Sequence, residues 1–516
     1  MSSSSRLRAA ISAAALILAV SLTGCAAGPV QTVADVTGST TVQSEALTSP
    51  TPDRSSVPLA RVAEHTGFID ADLASDAGKQ TRVTLDDSRS SASGNDASSV
   101  VSNGRTTSIT GAGTYKISGK LSDGQLRVDA SGKDAVRLIL DGVQISSSQG
   151  PALSIQGGQK VVVELAAGSH NSLTQGTEAA PGGPPNHGAA LYSQTDLAIT
   201  GRGSLAVGAD YGDGIRSTQG LLIAGGQVMV RAAGDGLTGD KFVAMTGGNY
   251  TVTAAARGVH SSSNAEHDSG WVHQYAGQLS ISAGVSGISG ATNLTLSSGS
   301  VMVSESVQGL QGPRVQITGG RQTIFASKHG IEAEQQLSQA AGAVLEKTDG
   351  QPEFPGAEVR VSGGQVAILG AEQAIDSDGD IYLDSGDVLI AAPEARMGQP
   401  LSSDGTIRVD RAVLALDGAQ NPAMNLGQNF GQNTIEASFD VPPPAGNSLQ
   451  IIDEASTVIA SFPINNAVHN LQVTSGLLEQ GESYQLYAGA PKKPGSQLSA
   501  EDSGSQTYLA TSTAHR

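Results

Sequence analysis

Three short phrases concentrate the chain's chemistry. GDGIRST (212–218), GDGLTGD (234–240) and ARGVHSS (256–262) repeat one turn at a fixed interval. The first two place Asp213 and Asp235 at the same turn position, with Asp240 four residues beyond Gly236. If the turns stack one strand spacing apart, about 5 Å, the two carboxylates repel unless a cation lies between them. Calcium, which takes six to eight oxygen ligands, is the ion such stacked acids and backbone carbonyls suit. The alternative is that Asp-Gly merely suits a turn, and both readings stay open. In the third phrase Arg257 replaces the acid, and its guanidinium can bridge carboxylates of a neighbouring turn as a built-in cation. A second calcium candidate is Asp376 and Asp378, within the alternating acids of Asp376 to Asp380, although no glutamate follows at the position of a bidentate calcium ligand. The side chains that could offer a ligand aromatic platforms and polar groups are Tyr211, the single tryptophan Trp271, and Tyr275, with Arg257 beside them. Tyr192 is equally well read as turn filling.

These residues need a scaffold that repeats. Glycines followed by an aliphatic residue stand at 214, 236, 258, 287, 309 and 330. A second marker keeps step with them: Gly225-Gly226, Gly247-Gly248, Gly319-Gly320 and Gly363-Gly364, with weaker versions at Ala276-Gly277 and Ser298-Gly299. Between the markers run strands of three to five residues, such as Val161 to Leu165 and Leu221 to Ile223. Two markers sharing one period indicate a solenoid, whose units cannot bury an apolar side alone. About 22 residues per unit suits one coil of a parallel β-helix with three strands and three turns. The longer interval between Gly258 and Gly287 predicts a loop leaving the coil at Ser261 to Trp271, which would carry Trp271 and Tyr275. Ile215, Leu237, Val259, Ile288, Leu310 and Ile331 should stack inside, and the glycine before each relieves crowding at a corner.

The composition agrees with turn-rich β structure: 65 glycines among 516 residues and only 3% aromatics. A net charge of −18 argues against nucleic acid and anionic lipid surfaces as partners. Residues 1–24 read as a lipoprotein signal peptide, with Arg6 and Arg8 before the apolar run Ala9 to Leu22. Leu22-Thr23-Gly24-Cys25 looks like a bacterial lipobox, so Cys25, the single cysteine, is the expected site of lipidation, palmitate included. Residues 25–78, rich in Ser, Thr and Pro, are expected to form a disordered linker. The β-helix is expected over 79–430, a small antiparallel β cap over 431–490, and a disordered tail over 491–516. Interruptions are expected at 174–190 and 335–357, the latter with a short helix around Gln336 to Glu346.

Several stretches together resemble one family. They are GTYKISGKLSDGQ (113–125), LILDGVQISSS (138–148), NSLTQG (171–176), DLAITGRGSL (196–205), YGDGIRS (211–217), AIDSDGDIYLDSGDVLIAAP (374–393) and GESYQLYAG (481–489). In order and spacing they are similar to bacterial cell-surface carbohydrate-binding domain-containing proteins. The resemblance covers roughly residues 80 to 490. It implies a right-handed parallel β-helix of pectate-lyase type, calcium ions in its coils, and binding of polysaccharide of cellulosic or pectic type without cleavage. This chain departs from the family's turn acids: the position before glycine runs Asp213, Asp235, Arg257, Ser286, Gln308, His329.

The expected protein is therefore a non-catalytic, monomeric lipoprotein on the outer face of the cell membrane, binding polysaccharide. The first alternative is a calcium-dependent polysaccharide lyase, for which Arg257 near Asp213 and Asp235 is the sole set resembling a base beside an acid cluster. The second is a surface scaffold or adhesin with a protein partner. His187-Gly188 and His329-Gly330 lack the paired aspartates of a pectin hydrolase, and are read as turn histidines.

Overall fold

The computed structural model describes residues 62–515 except 75–79, 132–134, 179–187, 264–268, 335–355, 392–399, 418–429, 445, 465–467, 469 and 500–505. The expected signal segment with Cys25, His187, residues 264–268 of the expected loop and the expected helix around Gln336 to Glu346 lie outside the described residues.

The described chain is all-β, built on long sheets of parallel strands. Each repeat crosses three columns. Ser204–Ala209, Gln227–Ala232, Asn249–Ala254 and Gln278–Ala283 pair in parallel in one. Asp213–Ser217, Leu237–Gly239, Val259–Ser261 and Ser286–Gly290 pair in a second. Gly220–Ile223, Phe242–Met245 and Trp271–Gln274 pair in the third. The first and third belong to a 24-stranded sheet, and the second to a separate 13-stranded sheet. Ile215 pairs with Leu237, Leu237 with Val259, Val259 with Ile288, Ile288 with Leu310 and Leu310 with Ile331, which is the expected inward series. All six side chains are buried and join one continuous apolar core.

Alternation builds the strands. Gln227–Ala232 reads exposed, buried, exposed, buried along its length, with Val228, Val230 and Ala232 inward. Glycine builds the corners in two ways. The second glycine of each Gly-Gly marker takes a left-handed φ, 88° at Gly226 and 91° at Gly248, where a side chain would be strained. Gly214, Gly236 and Gly258 are instead required by space. A Cβ at Gly258 would lie 2.4 Å from Ile281 Cγ2 and 2.6 Å from the Gly287 carbonyl oxygen of the next coil.

Three expectations are corrected. The linker does not run to 78: Ala63–Thr66 and Asp70–Leu73 are helical turns, and Val62 and Phe68 bury themselves against Val162, Ala198, Leu222, Phe242 and Ala244. Lys160, 3.1 Å from Asp72, pins the segment. Two anchoring side chains suffice here because the solenoid offers an apolar outer stripe, a feature with no periodicity in the segment itself. The tail is not without structure either: Thr507–Thr513 pairs antiparallel with Ser483–Gly489. Trp271 is not on an extruded loop but opens the strand Trp271–Gln274, in register with Phe242 and Asn293, and Tyr275 follows that strand directly.

Beyond Val413–Asp417 the direction of pairing changes. Asn470–Thr474 adds antiparallel to that strand and Thr434–Ser438 adds antiparallel to Asn470–Thr474. Ser448–Ile452, Val458–Pro463, Ser483–Gly489 and Thr507–Thr513 form a 4-stranded antiparallel sheet. Its apolar side, with Leu449, Ile451, Phe462 and Leu486, packs with Ala367, Leu389, Val413 and Ala415 of the last coils. At this contact the buried Asp387 accepts the Ser461 N–H at 3.0 Å, and burial pushes its carboxyl up to about 7.

Candidate functional site

The 13-stranded sheet carries an outward double ladder. One rail is the position before glycine: Asp213, Asp235, Arg257, Ser286, Gln308, His329. The other is the position three residues later: Arg216, Thr238, His260, Ser289, Gln311, Glu332, Asp376, paired in register from coil to coil. Within a coil the two rails touch, because the corner glycine and the inward aliphatic between them return the chain to the same face. Arg216 meets Asp213 at 3.1 Å, Arg257 meets His260 at 2.7 Å, and His329 Nδ1 meets Glu332 Oε1.

Across coils the ladder is bonded in two runs. The Asp235 N–H donates to Asp213 Oδ1 at 2.8 Å, and the Arg257 N–H to Asp235 Oδ1 at 2.9 Å. The Arg257 guanidinium grips the same carboxylate, Nε to Oδ1 at 3.1 Å and NH2 to Oδ2 at 2.9 Å. Arg216 donates through NH1 to Asp213 and through NH2 to Asp240 at 3.1 Å, and the Ser262 hydroxyl completes Asp240 at 3.0 Å. Further along, Ser286 donates to Gln311 at 2.9 Å and Gln311 to Glu332 Oε2 at 3.0 Å.

Burial sets the electrostatics. It raises the Asp213 carboxyl, an effect the neighbouring Asp235 adds to, while the Asp235 N–H and Arg216 oppose it. Burial first, and the Arg257 charge second, lower His260 to about 4, so its ring is neutral at ordinary pH. Asp380 is held low by the Thr406 N–H and the Tyr382 hydroxyl, which makes it a turn-stabilising acid.

The expected calcium ligands Asp213, Asp235 and Asp240 come together but do not suit calcium as they stand. The faces of these carboxylates that a hard cation would use are occupied by guanidinium donors from Arg216 and Arg257, and a charge-assisted bidentate pair is a strong competitor. Asp376 and Asp378 lie farther along the same sheet, Asp376 beside Glu332. Of the aromatic candidates, Tyr211 stands at the ladder's edge, 39% exposed, against Gly188. Trp271 and Tyr275 belong to another face. The Trp271 ring stacks on Phe242 at 4.9 Å and meets the His65 edge at 6.3 Å, and Tyr275 stacks on His273 at 3.5 Å.

Reading the sequence missed Arg216, His260, Gln311 and Glu332. Their signal was present: each directly follows the inward aliphatic of a marked turn, so the whole second rail follows once the first is aligned.

The described chain is thus a β-solenoid of parallel strands whose 13-stranded sheet carries a polar ladder. The profile of the carbohydrate-binding domain-containing protein family matches residues 103–395, and the chain belongs to that family. A carbohydrate-binding domain-containing protein of Acetivibrio thermocellus is 37% identical over 132 residues, which is 25% of this chain and 46% of that relative. The chain thus spans about half the length of the curated relative it matches. A solved structure of a polysaccharide lyase-like protein from C. thermocellum, a gadolinium derivative, is 30% identical, with 47% of this chain and 92% of that chain covered and a TM-score of 0.41.

Proposed function

We propose that the protein is a monomeric, non-catalytic lipoprotein, tethered through lipid on Cys25 to the outer face of the cell membrane, that binds extracellular polysaccharide of cellulosic or pectic type along the double ladder. In this reading the solenoid is a right-handed parallel β-helix of about 22 residues per coil, and the C-terminal antiparallel sheet caps its open end. An uncapped last coil would present an edge for aggregation.

The observation that carries the reading is the ladder itself. Polar side chains recur from coil to coil at a spacing of about 4.8 Å, and the half-exposed ones among them, Asp213, Arg216, Arg257, Gln308 and Gln311, would offer a polymer with repeated hydroxyls a series of donors and acceptors. Tyr211 at its edge offers a ring face to a sugar. Binding without cleavage is supported by Arg257, the candidate base: NH1 is spent on His260, and Nε and NH2 on Asp235. Because Arg216 and Arg257 supply the positive charge, the part of the ladder around Asp213 and Asp235 works in this reading without calcium.

A glycan array, run with and without chelator on the wild type and on Arg257→Ala, tests the proposal. Retention of plant-wall polysaccharides that resists chelator and falls at least tenfold in the variant supports it. Retention of no glycan at all overturns it in favour of a protein partner, and a rise in near-ultraviolet absorbance on incubation with pectin overturns it in favour of a lyase.

A further inference from the structure

The ladder changes character along its length. Toward the N-terminus its acids are matched by guanidinium groups, Asp213 and Asp240 by Arg216 and Asp235 by Arg257. Toward the C-terminus two acids stack on adjacent coils of the second rail, Glu332 in register with Asp376, and the side chain facing them is an imidazole. His329 Nδ1, a Glu332 carboxylate oxygen and an Asp376 carboxylate oxygen lie within 4.8 Å of one another. His329 and Glu332 are 5% and 2% exposed. The Asp376 carboxylate has no ion pair and no hydrogen-bond donor among the described residues. Gln308, the register partner of His329 on the preceding coil, has a buried side-chain oxygen that likewise accepts no hydrogen bond.

We propose that His329, Glu332 and Asp376 bind one divalent transition-metal ion, with zinc the best match. One nitrogen and two carboxylate oxygens form a donor set for a borderline cation, whereas calcium and magnesium are held by oxygen ligands. Two carboxylates also neutralise a double positive charge, which is the complement of what Arg216 and Arg257 do farther along the ladder. The ion would sit between His329 Nδ1 and Glu332 Oε1, with the imidazole coordinating in its neutral form through Nδ1 and keeping its hydrogen on Nε2. Gln311, donating to Glu332 Oε2 at 3.0 Å, keeps the carboxylate oriented with its other oxygen toward the metal. Asp376 is only half-buried, so a small rotation of its side chain brings its oxygen to coordination distance and leaves a position open to water. Because the ligands come from successive coils, the metal fastens one coil to the next.

The test uses the full, untagged chain, stripped with chelator and titrated in parallel with zinc and with calcium by calorimetry. Cobalt(II) absorption provides a second readout. The expected result is one equivalent of zinc bound and no calcium binding at matched concentration. Saturating zinc should raise the melting temperature by about 2–4 °C, and cobalt should give visible bands that depend on His329. Asp376→Asn, which keeps shape and sits at a half-exposed position, and His329→Asn should each weaken zinc binding at least tenfold, while Asp404→Asn leaves it unchanged. Absence of zinc binding, zinc binding that survives Asp376→Asn undiminished, or calcium binding as tight as zinc at this site overturns the proposal. Glycan retention is scored separately, so the polysaccharide reading and the metal site stand or fall independently.

Discussion

Arg257 and Asp235 sit on neighbouring coils and are joined three times over: the Arg257 backbone N–H, Nε and NH2 all donate to the one carboxylate, at 2.9, 3.1 and 2.9 Å. Asp235 is 5% exposed, so this pair decides whether a buried charge on the ladder is compensated. Arg257→Ala should destabilise the fold by about 1–3 kcal/mol, less than a fully buried pair because Arg257 is partly in solvent. Arg257→Lys should recover only part of that, since an ammonium cannot supply two parallel bonds. Chemical denaturation of the three proteins checks the order wild type, Lys, Ala.

His260 tests the same network through pH. Its folded value of about 4 lies below the ordinary 6.5, so its contribution to stability is full above 6.5 and is lost as pH falls toward 4. His260→Gln should therefore remove part of the acid sensitivity between pH 6.5 and 4. It should leave glycan retention flat from pH 6.5 to 8, as measured by melting and pull-down series.

Asp387 has the opposite sign. Its folded value of about 7 is raised from 3.8 by burial under the C-terminal sheet, so its stability contribution is fully present below 3.8 and is lost as pH rises to about 7. The span of the effect is at most about 4 kcal/mol. Asp387→Asn, which keeps an oxygen acceptor for the Ser461 N–H, should flatten stability between pH 4 and 7. An unchanged slope in a urea series would show that the sheet does not bury this group.

Gly258→Ala places a methyl group 2.4 Å from Ile281 Cγ2 and 2.6 Å from the Gly287 oxygen. Overpacking at a corner repeated by every coil should lower stability by about 1–3 kcal/mol. The exposed corner glycine Gly142, with nothing within 4 Å of an added Cβ but a φ of 81°, is the comparison that separates steric crowding from backbone strain. Its alanine variant should lose about 1 kcal/mol, from strain alone.

Tyr211 and Trp271 should part company. Tyr211→Ala should reduce polysaccharide retention at least threefold with little change in melting. Trp271→Ala removes a ring stacked on Phe242, so it should lower stability by about 2 kcal/mol while retaining the same polysaccharides. Loss of retention in Trp271→Ala at full stability would move the binding face to the third column.

The glycine-aliphatic marker was enough to place Ile215, Leu237 and Val259 on one inward line, because a solenoid repeats the same steric demand in each coil and the demand is written locally. The first rail of the ladder was legible for the same reason. Trp271 was misplaced because an insertion shows in the spacing but not where the chain rejoins the strand. The N-terminal helical turns were missed because Val62 and Phe68 have meaning only against a surface made elsewhere. Thr507–Thr513 was missed because a closing strand takes its partner from a distant segment.

By itself, then, the sequence determined the repeat, the corner glycines, the inward aliphatics and the acids of the first rail, all of which follow from contacts between equivalent residues one coil apart. Only the tertiary structure decided what those acids face. Whether Asp213 meets a metal or Arg216, and whether His329 is a turn residue or stands against Glu332 and Asp376, depends on side chains that share a face through the path of the chain around the coil. Period alone does not determine that partnership.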